Sequence, residues 1–123
     1  MKRIVLIGIS LLLSCIAANA QLSQSERSQL TADQRSTYDR QYNELTRALK
    51  AAEYDLFKAE DKIKMGEEMN REEGNNVGNA FIYQGMELKE KALKAKNDAE
   101  RGLRLLDEAA REAIQNNKKK PNR

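Results

Sequence analysis

The segment that decides the fold is short and polar: Arg71-Glu72-Glu73-Gly74-Asn75-Asn76-Val77-Gly78-Asn79. It separates two long segments that both show helical periodicity. Gly74 favours the left-handed conformation that commonly ends a helix, and Asn79 is a suitable N-cap for a following one. We therefore expect an all-α fold in which the chain reverses at a turn over 74–78, giving a long antiparallel two-helix hairpin.

The first long helix is predicted over about 32–73, where apolar residues recur at alternating spacings of four and three. The residues of this seam are Tyr38, Tyr42, Leu45, Leu49, Ala52, Leu56, Ala59 and Ile63. A repeat of this kind is typical of a coiled coil. Thr31 is the predicted helix cap, because Gln34 three residues later can complete a capping box. The pattern loses its regularity at Gly66 and Asn70.

The second helix is predicted over about 79–117 and has the same alternating spacing. Its seam residues are Phe81, Gly85, Leu88, Ala92, Ala95, Ala99, Gly102, Leu106, Ala109 and Ala113. The first seam is mostly large and the second mostly small, which lets two helices approach closely. A fold at about residue 76 would place Ile63 near Leu88 and Leu49 near Gly102.

The first twenty residues have the pattern of a secretory signal. Lys2 and Arg3 precede an apolar run from Ile4 to Ala17 that is too short to span a bilayer comfortably. Ala18-Asn19-Ala20 then provides the small residues that a signal peptidase reads. We expect cleavage before Gln21 and export from a bacterial cytoplasm, to the periplasm or the medium.

Cys15 supports a different processing of the same segment. Leu12-Leu13-Ser14-Cys15 resembles a lipoprotein signal, in which the cysteine becomes the lipidated first residue. A soluble exported protein and a lipid-anchored one remain alternatives, and they differ because several acyl chains give a lasting membrane anchor.

Composition argues against an enzyme. The 123 residues include no histidine and a single cysteine, so that imidazole bases, the usual zinc ligands and, after cleavage, thiol chemistry are excluded. No catalytic, metal-binding or cofactor-binding residue is predicted. Without residues 1–20 the 22 basic side chains become 20, against 19 acidic ones, and four of these bases lie at the end of the chain. This balance does not indicate a nucleic-acid-binding protein.

The two ends of the exported chain are predicted to be irregular. Residues 21–30 are polar and serine-rich, and we expect a flexible segment, although Ser23 and Glu26 would also fit a capping box. Residues 118–123 form a basic tail. Its cations, Lys118, Lys119, Lys120 and Arg123, would each add about 1 kcal/mol to binding at an anionic membrane surface. A short disordered basic end is the alternative.

Leu30-Thr31-Ala32-Asp33-Gln34 resembles the LTxxQ signature of the Spy/CpxP family of periplasmic helical chaperones. The resemblance covers these five residues, and the chain has no second copy of the motif. It implies ATP-independent holding of unfolded client proteins on a helical surface. The same residues also fit an ordinary helix start with a threonine capping box.

Candidate partner-binding residues lie outside the two seams. Met65, Met69, Met86 and Tyr83 should gather near the turn, where methionine-rich surface adapts to varied partners. Tyr54 and Phe57 lie one turn apart on the outer face of the first helix, and Leu93 and Leu103 flank the second seam. The alternatives are a loosely packed end of the core near the turn and shielding by neighbouring long side chains elsewhere.

These features together predict a non-enzymatic, exported coiled-coil protein that acts through protein–protein contacts. It would be a structural or adaptor component of the cell envelope, and a homo-oligomer. An ATP-independent periplasmic chaperone is the alternative, and a membrane or cell-wall attachment factor is a third hypothesis.

Overall fold

The computed structural model describes residues 22–119, of which 90% are helical, and no strand occurs among them. Three helices follow one another: α1 (Gln24–Ser28), α2 (Ala32–Glu73) and α3 (Asn79–Lys119). The two long helices pack against each other as a helical hairpin, which confirms this part of the predicted fold.

Some predicted features lie outside the described residues. They are the signal over 1–20 with its cleavage site, Cys15, Lys120 and Arg123. Between residues 22 and 119, no helix is both long enough and apolar enough to cross a membrane.

The packed helices divide into two compact units. The terminal unit comprises the described residues up to Thr46 and from Glu100 onward, and the turn unit comprises Arg47–Ala99. In each unit one stretch of α2 lies against one stretch of α3.

Three consecutive left-handed residues build the turn between α2 and α3. They are Gly74 (φ 69°), Asn75 (φ 54°) and Asn76 (φ 59°). Glycine enters this region without steric cost, and asparagine is the side-chain-bearing residue that tolerates it best. Because no helix continues through such residues, α2 ends at Glu73.

Asn70 ties this turn back onto α2. Its Oδ1 accepts a 2.7 Å hydrogen bond from the backbone N–H of Gly78, and its Nδ2 donates a 2.8 Å bond to Oδ1 of Asn79. The start of α3 is therefore held beside Asn70, about one turn before α2 ends.

Gly66 and Gly78 bring the two backbones into direct contact within the turn unit. A Cβ atom added to Gly66 would lie 2.5 Å from the carbonyl oxygen of Gly78, so that no larger residue fits without a shift. Gly66 and Asn70, where the apolar pattern becomes irregular, are thus interface residues that sequence reasoning missed.

The predicted register is wrong by about one helical turn. The sequence placed Ile63 near Leu88, but Ile63 packs over Gly85. A Cβ atom added to Gly85 would lie 2.6 Å from Cγ1 of Ile63. The physical reason is the close contact at Gly66, which starts α3 beside that residue instead of opposite the last turn of α2.

Large residues meet small ones in both directions across the turn unit. Ile63 of α2 covers Gly85 of α3, whereas Ile82 of α3 lies against Gly66 of α2. The sequence predicted that the large residues would come mainly from the first helix. Leu49, Ala52, Ala59, Ala92 and Ala99 are buried in this unit.

The terminal unit has its own apolar core. Its buried members are Leu22, Leu30, Tyr38, Ala110 and Ile114, with Tyr42, Leu106 and Ala113 partly buried against them. The rings of Tyr38 and Tyr42 stack with centroids 6.0 Å apart. Leu45 covers Gly102, which repeats the large-on-small arrangement.

The N-terminal segment differs from the flexible chain expected over 21–30. Ser23 and Glu26 form a complete capping box that starts α1. Leu22 and Leu30, which flank α1, are both buried in the core of the terminal unit. Their burial supplies the stabilisation that so short a helix lacks by itself.

The buried stripe of α3 also differs from the predicted seam. Leu103, expected at an exposed edge, is only 2% exposed, whereas Ala95 and Ala109, expected in the seam, are exposed. Ile114 is likewise buried more deeply than Ala113. Since a leucine or isoleucine removes more apolar surface from water than an alanine, this orientation of α3 is the more favourable one.

The tail predicted over 118–123 begins inside a helix. Lys118 and Lys119 form the last residues of α3, and both are exposed. Cations in the last turn interact favourably with the negative end of the helix dipole, which favours this extension of α3.

Candidate functional site

The large seam residues predicted from the sequence lie on the sides of α2 and α3 that pack together. Tyr38 and Leu49 are buried. The others are partly buried: Tyr42, Leu45, Leu56, Ile63, Phe81, Leu88 and Leu106. Because two helices cover only one side of each other, most large seam residues keep an exposed edge.

Five of the six candidate partner-binding residues are exposed, and all six belong to the turn unit. The exposed ones are Tyr54, Phe57, Met65, Tyr83 and Met86. Met69 is partly buried. Val77 and Leu93 are further exposed apolar residues of this unit. We call Tyr54, Phe57, Tyr83, Met86 and Leu93 together the apolar face.

The α2 part of the apolar face consists of Tyr54 and Phe57, with side chains 62% and 59% exposed. Residues three apart on a helix are neighbours on its surface. Lys58 lies beside them, with Nζ 4.8 Å from the centroid of the Tyr54 ring and 3.3 Å from a carboxylate oxygen of Asp55. The aromatic pair thus carries a positive charge at its edge.

The α3 part of the apolar face consists of Tyr83, Met86 and Leu93. Their spacings of three and seven place them on one side of the helix. Tyr83 and Met86 are 69% and 55% exposed, and Leu93 is 40% exposed. Phe81 lies elsewhere, since it is partly buried with Nζ of Lys62 5.8 Å above its ring.

The terminal unit contains an open apolar groove of about 320 Å³ between α2 and α3. Sequence reasoning missed it, because the groove exists only once Ala109 lies outside the packed stripe. Its lining residues are Leu30, Asp33, Gln34, Thr37, Tyr38, Gln41, Leu106, Ala109, Ala110 and Ala113.

Leu30-Thr31-Ala32-Asp33-Gln34 joins α1 to α2 at the edge of this groove. Thr31 and Gln34 form the predicted capping box, with bonds of 3.0 Å from the Thr31 N–H to Gln34 Oε1 and 3.2 Å from the Gln34 N–H to Thr31 Oγ1. Leu30 is a core residue. All of this motif except Ala32 and Asp33 therefore has a direct structural role.

A polar network holds α1 against the long helices. Arg111 of α3 binds Glu26 of α1 at 2.9 Å and also binds Asp107 one turn away. Arg27 of α1 binds Asp39 of α2. This network, together with the burial of Leu22 and Leu30, explains how the N-terminal segment is positioned.

The two carboxylates that Arg111 binds respond to it differently. Its hydrogen bond lowers the pKa of Glu26, which is partly exposed. Burial raises the pKa of Asp107 despite the attraction of Arg111, and the Oδ1 atom of Asp107 has no hydrogen-bond partner. A raised carboxyl pKa is also found in catalytic acids, but Asp107 does not line the groove.

Among residues 22–119, no three acidic, cysteine or histidine side chains are grouped so that they could hold a metal ion. Comparisons of the chain with protein-family models, with curated proteins and with solved structures find no match. The candidate sites are therefore defined by their geometry: the apolar face of the turn unit and the groove of the terminal unit.

Proposed function

We propose that this chain is a non-enzymatic, exported coiled-coil protein that acts through protein–protein contacts, with self-association through the apolar face as its primary interaction. The observation that carries the proposal is the exposure of Tyr54, Phe57, Tyr83 and Met86 on one small helical unit. Large aromatic and methionine side chains are the residues that protein interfaces favour.

The exposed apolar area is of the size that interfaces use. The five side chains of the apolar face are each 40–69% exposed. With about 150–250 Å² per large side chain, their exposed areas add up to roughly 500 Å² over the two helices. A standard interface buries about 800 Å² from each partner, so that flanking residues would complete it.

Charge does not oppose contact between copies through the turn unit. Residues 47–99 contain ten basic and eleven acidic side chains, which leaves this unit nearly neutral. Like-charge repulsion between two copies is therefore weak, and ions of both signs can meet their opposites at the edge of an interface.

The location and the coiled coil are parts of the same proposal. Export is supported by the signal pattern over residues 1–20, and the coiled coil by the alternating apolar spacing of both helices. The structural or adaptor role in the cell envelope is supported by the export signal together with the apolar residues that the helix packing leaves exposed.

Sedimentation of residues 21–123 over a range of concentrations tests this function. The wild-type chain should self-associate, and Phe57→Ser together with Met86→Ser should weaken the association at least tenfold. Leu105→Ser is the matched control, because Leu105 is 54% exposed but belongs neither to the apolar face nor to the residues that line the groove. A monomer at every concentration, with no cross-linked partner in the cell envelope, would contradict the proposal.

A chaperone that holds unfolded clients is the second candidate function. It is favoured by Met65 and Met86, which are exposed in the same unit as the aromatic residues and can adapt to different client sequences. Substoichiometric protein should slow the aggregation of an unfolded client, and Met65→Ser with Met86→Ser should reduce this effect. If the wild-type chain leaves aggregation unchanged, the chaperone function is wrong.

A further inference from the structure

The groove of the terminal unit has the length and floor of a helix-docking site. Along α2 it extends from Asp33 to Gln41, which corresponds to about two helical turns or 12 Å. Its floor on α3 includes Ala109, Ala110 and Ala113. Small residues let a further helix approach closely and insert its large side chains between α2 and α3.

The volume and charge of the groove restrict what can enter it. A cavity of about 150 Å³ holds a benzene-sized molecule, so that about 320 Å³ has room for two aromatic rings. Asp33 is the only charged residue among those that line the groove. The groove therefore suits an apolar helical surface with a cation at its edge.

The apolar face offers such a surface on α2. Tyr54 and Phe57 are exposed and one turn apart, and Lys58 follows Phe57 directly. The Lys58 side chain remains 49% exposed although it lies near Asp55 and Tyr54, so that its ammonium group can turn toward a new carboxylate.

We infer that the Tyr54–Phe57 pair of one copy occupies the groove of a second copy, with Lys58 facing Asp33 of that copy. The inference rests on the proposed self-association and gives it a geometry. Because the two contacting surfaces are different, the copy that supplies the pair retains a free groove, and the copy that accepts it retains a free aromatic pair. Contacts of this kind produce rings or open chains of copies instead of a closed two-fold dimer.

Two variants separate the two halves of the contact. Ala109→Trp should fill the groove at a position that is exposed, so that the helix itself tolerates the change. Tyr54→Ser with Phe57→Ser removes the aromatic pair and leaves the groove intact. Ala95→Trp is the matched control for the tryptophan, since Ala95 is an exposed alanine of α3 in the turn unit.

The decisive experiment mixes the two variants in sedimentation velocity, after circular dichroism has shown that both remain helical. Wild type and Ala95→Trp should form species larger than a dimer. Each groove or aromatic-pair variant alone should lose at least tenfold in association, and their equimolar mixture should form a one-to-one dimer and nothing larger.

The possible failures point to different errors. If the wild type is monomeric, the proposed self-association fails and this contact fails with it. If the wild type associates and Ala109→Trp associates equally well, self-association stands but the groove is not its site, and the inference is overturned. The inference is also overturned if both variants lose association but their mixture stays monomeric.

A charge exchange gives a second measurement of the same contact. Lys58→Asp and Asp33→Lys should each weaken association several-fold, and the chain carrying both changes should regain most of it. If the double variant associates no better than the two single variants, Lys58 and Asp33 do not meet in the contact.

Discussion

At the scale of single residues, glycines decide how closely the two long helices approach. Gly66 contacts Gly78 through backbone atoms, whereas Gly102 contacts the flexible end of the Leu45 side chain. Glycine is therefore strictly required at position 66, whereas position 102 should tolerate a small side chain. The difference is measurable because a backbone cannot move aside as a side chain can.

Gly66→Ala should destabilise the chain by about 1–3 kcal/mol, the usual cost of overpacking, even though alanine favours helix more than glycine does. Gly102→Ala should be close to neutral, because the added methyl meets only the end of the Leu45 side chain, which can shift, and because alanine favours helix more than glycine does. Urea unfolding of both variants checks the difference. Equal effects would mean that the helices separate easily at Gly66.

Asp107 should make stability depend on pH in a direction opposite to most carboxylates. Because burial raises its folded pKa above the ordinary value of 3.8, its contribution to stability is complete below that value. The contribution is lost as the pH rises through the raised pKa. Glu26, with a lowered pKa, acts in the opposite sense and loses its contribution as the pH falls.

The variant Asp107→Asn isolates the contribution of this one carboxylate. Asparagine keeps the shape and can still accept a hydrogen bond from Arg111 but carries no charge. The stability of Asp107→Asn relative to wild type should therefore increase between acidic and neutral pH, as measured by urea unfolding across that range. A constant difference would show that Asp107 is not desolvated by the fold.

At the scale of elements, α1 depends on partners that are distant in sequence. Five residues are too few for a helix to persist alone in water. It is held because the backbone N–H of Leu22 donates a 3.0 Å hydrogen bond to the hydroxyl of Tyr38, and because Arg111 binds Glu26. The capping box is local, but the position of α1 on the long helices is not.

Tyr38→Phe should loosen the N-terminal segment without unfolding the long helices. Loss of the hydroxyl leaves the buried N–H of Leu22 without its acceptor, at a cost of about 1–3 kcal/mol. Hydrogen exchange should therefore become faster over residues 22–30 and stay unchanged over 47–99. Tyr42→Phe, which keeps the ring stack with Tyr38, serves as the control.

At the scale of the whole molecule, the buried core is modest and consists largely of small side chains. No large side chain is fully buried among the described residues, and many of the buried ones are alanines. Two packed helices leave much of their apolar surface in contact with water. Self-association would add burial that the single chain lacks.

The melting temperature should therefore rise with protein concentration, because association stabilises the folded state by mass action. A hundredfold increase in concentration should give a clear increase for the wild type and for Leu105→Ser. Phe57→Ser with Met86→Ser should remove most of this dependence. A concentration-independent melting temperature for the wild type would argue that folding and association are not coupled.

The sequence alone determined the helical class, the hairpin and the turn, because their causes are local. Glycine and asparagine at 74–76 admit left-handed backbone, and alternating spacings of four and three produce one apolar side on each helix. Tertiary structure decided the register, the burial of Leu103 in place of Ala95 and Ala109, the docking of α1 and hence the groove. These features depend on how the two helices fit together. The backbone contact between Gly66 and Gly78 sets where α3 begins, and the spacing of apolar residues within one helix does not specify that contact.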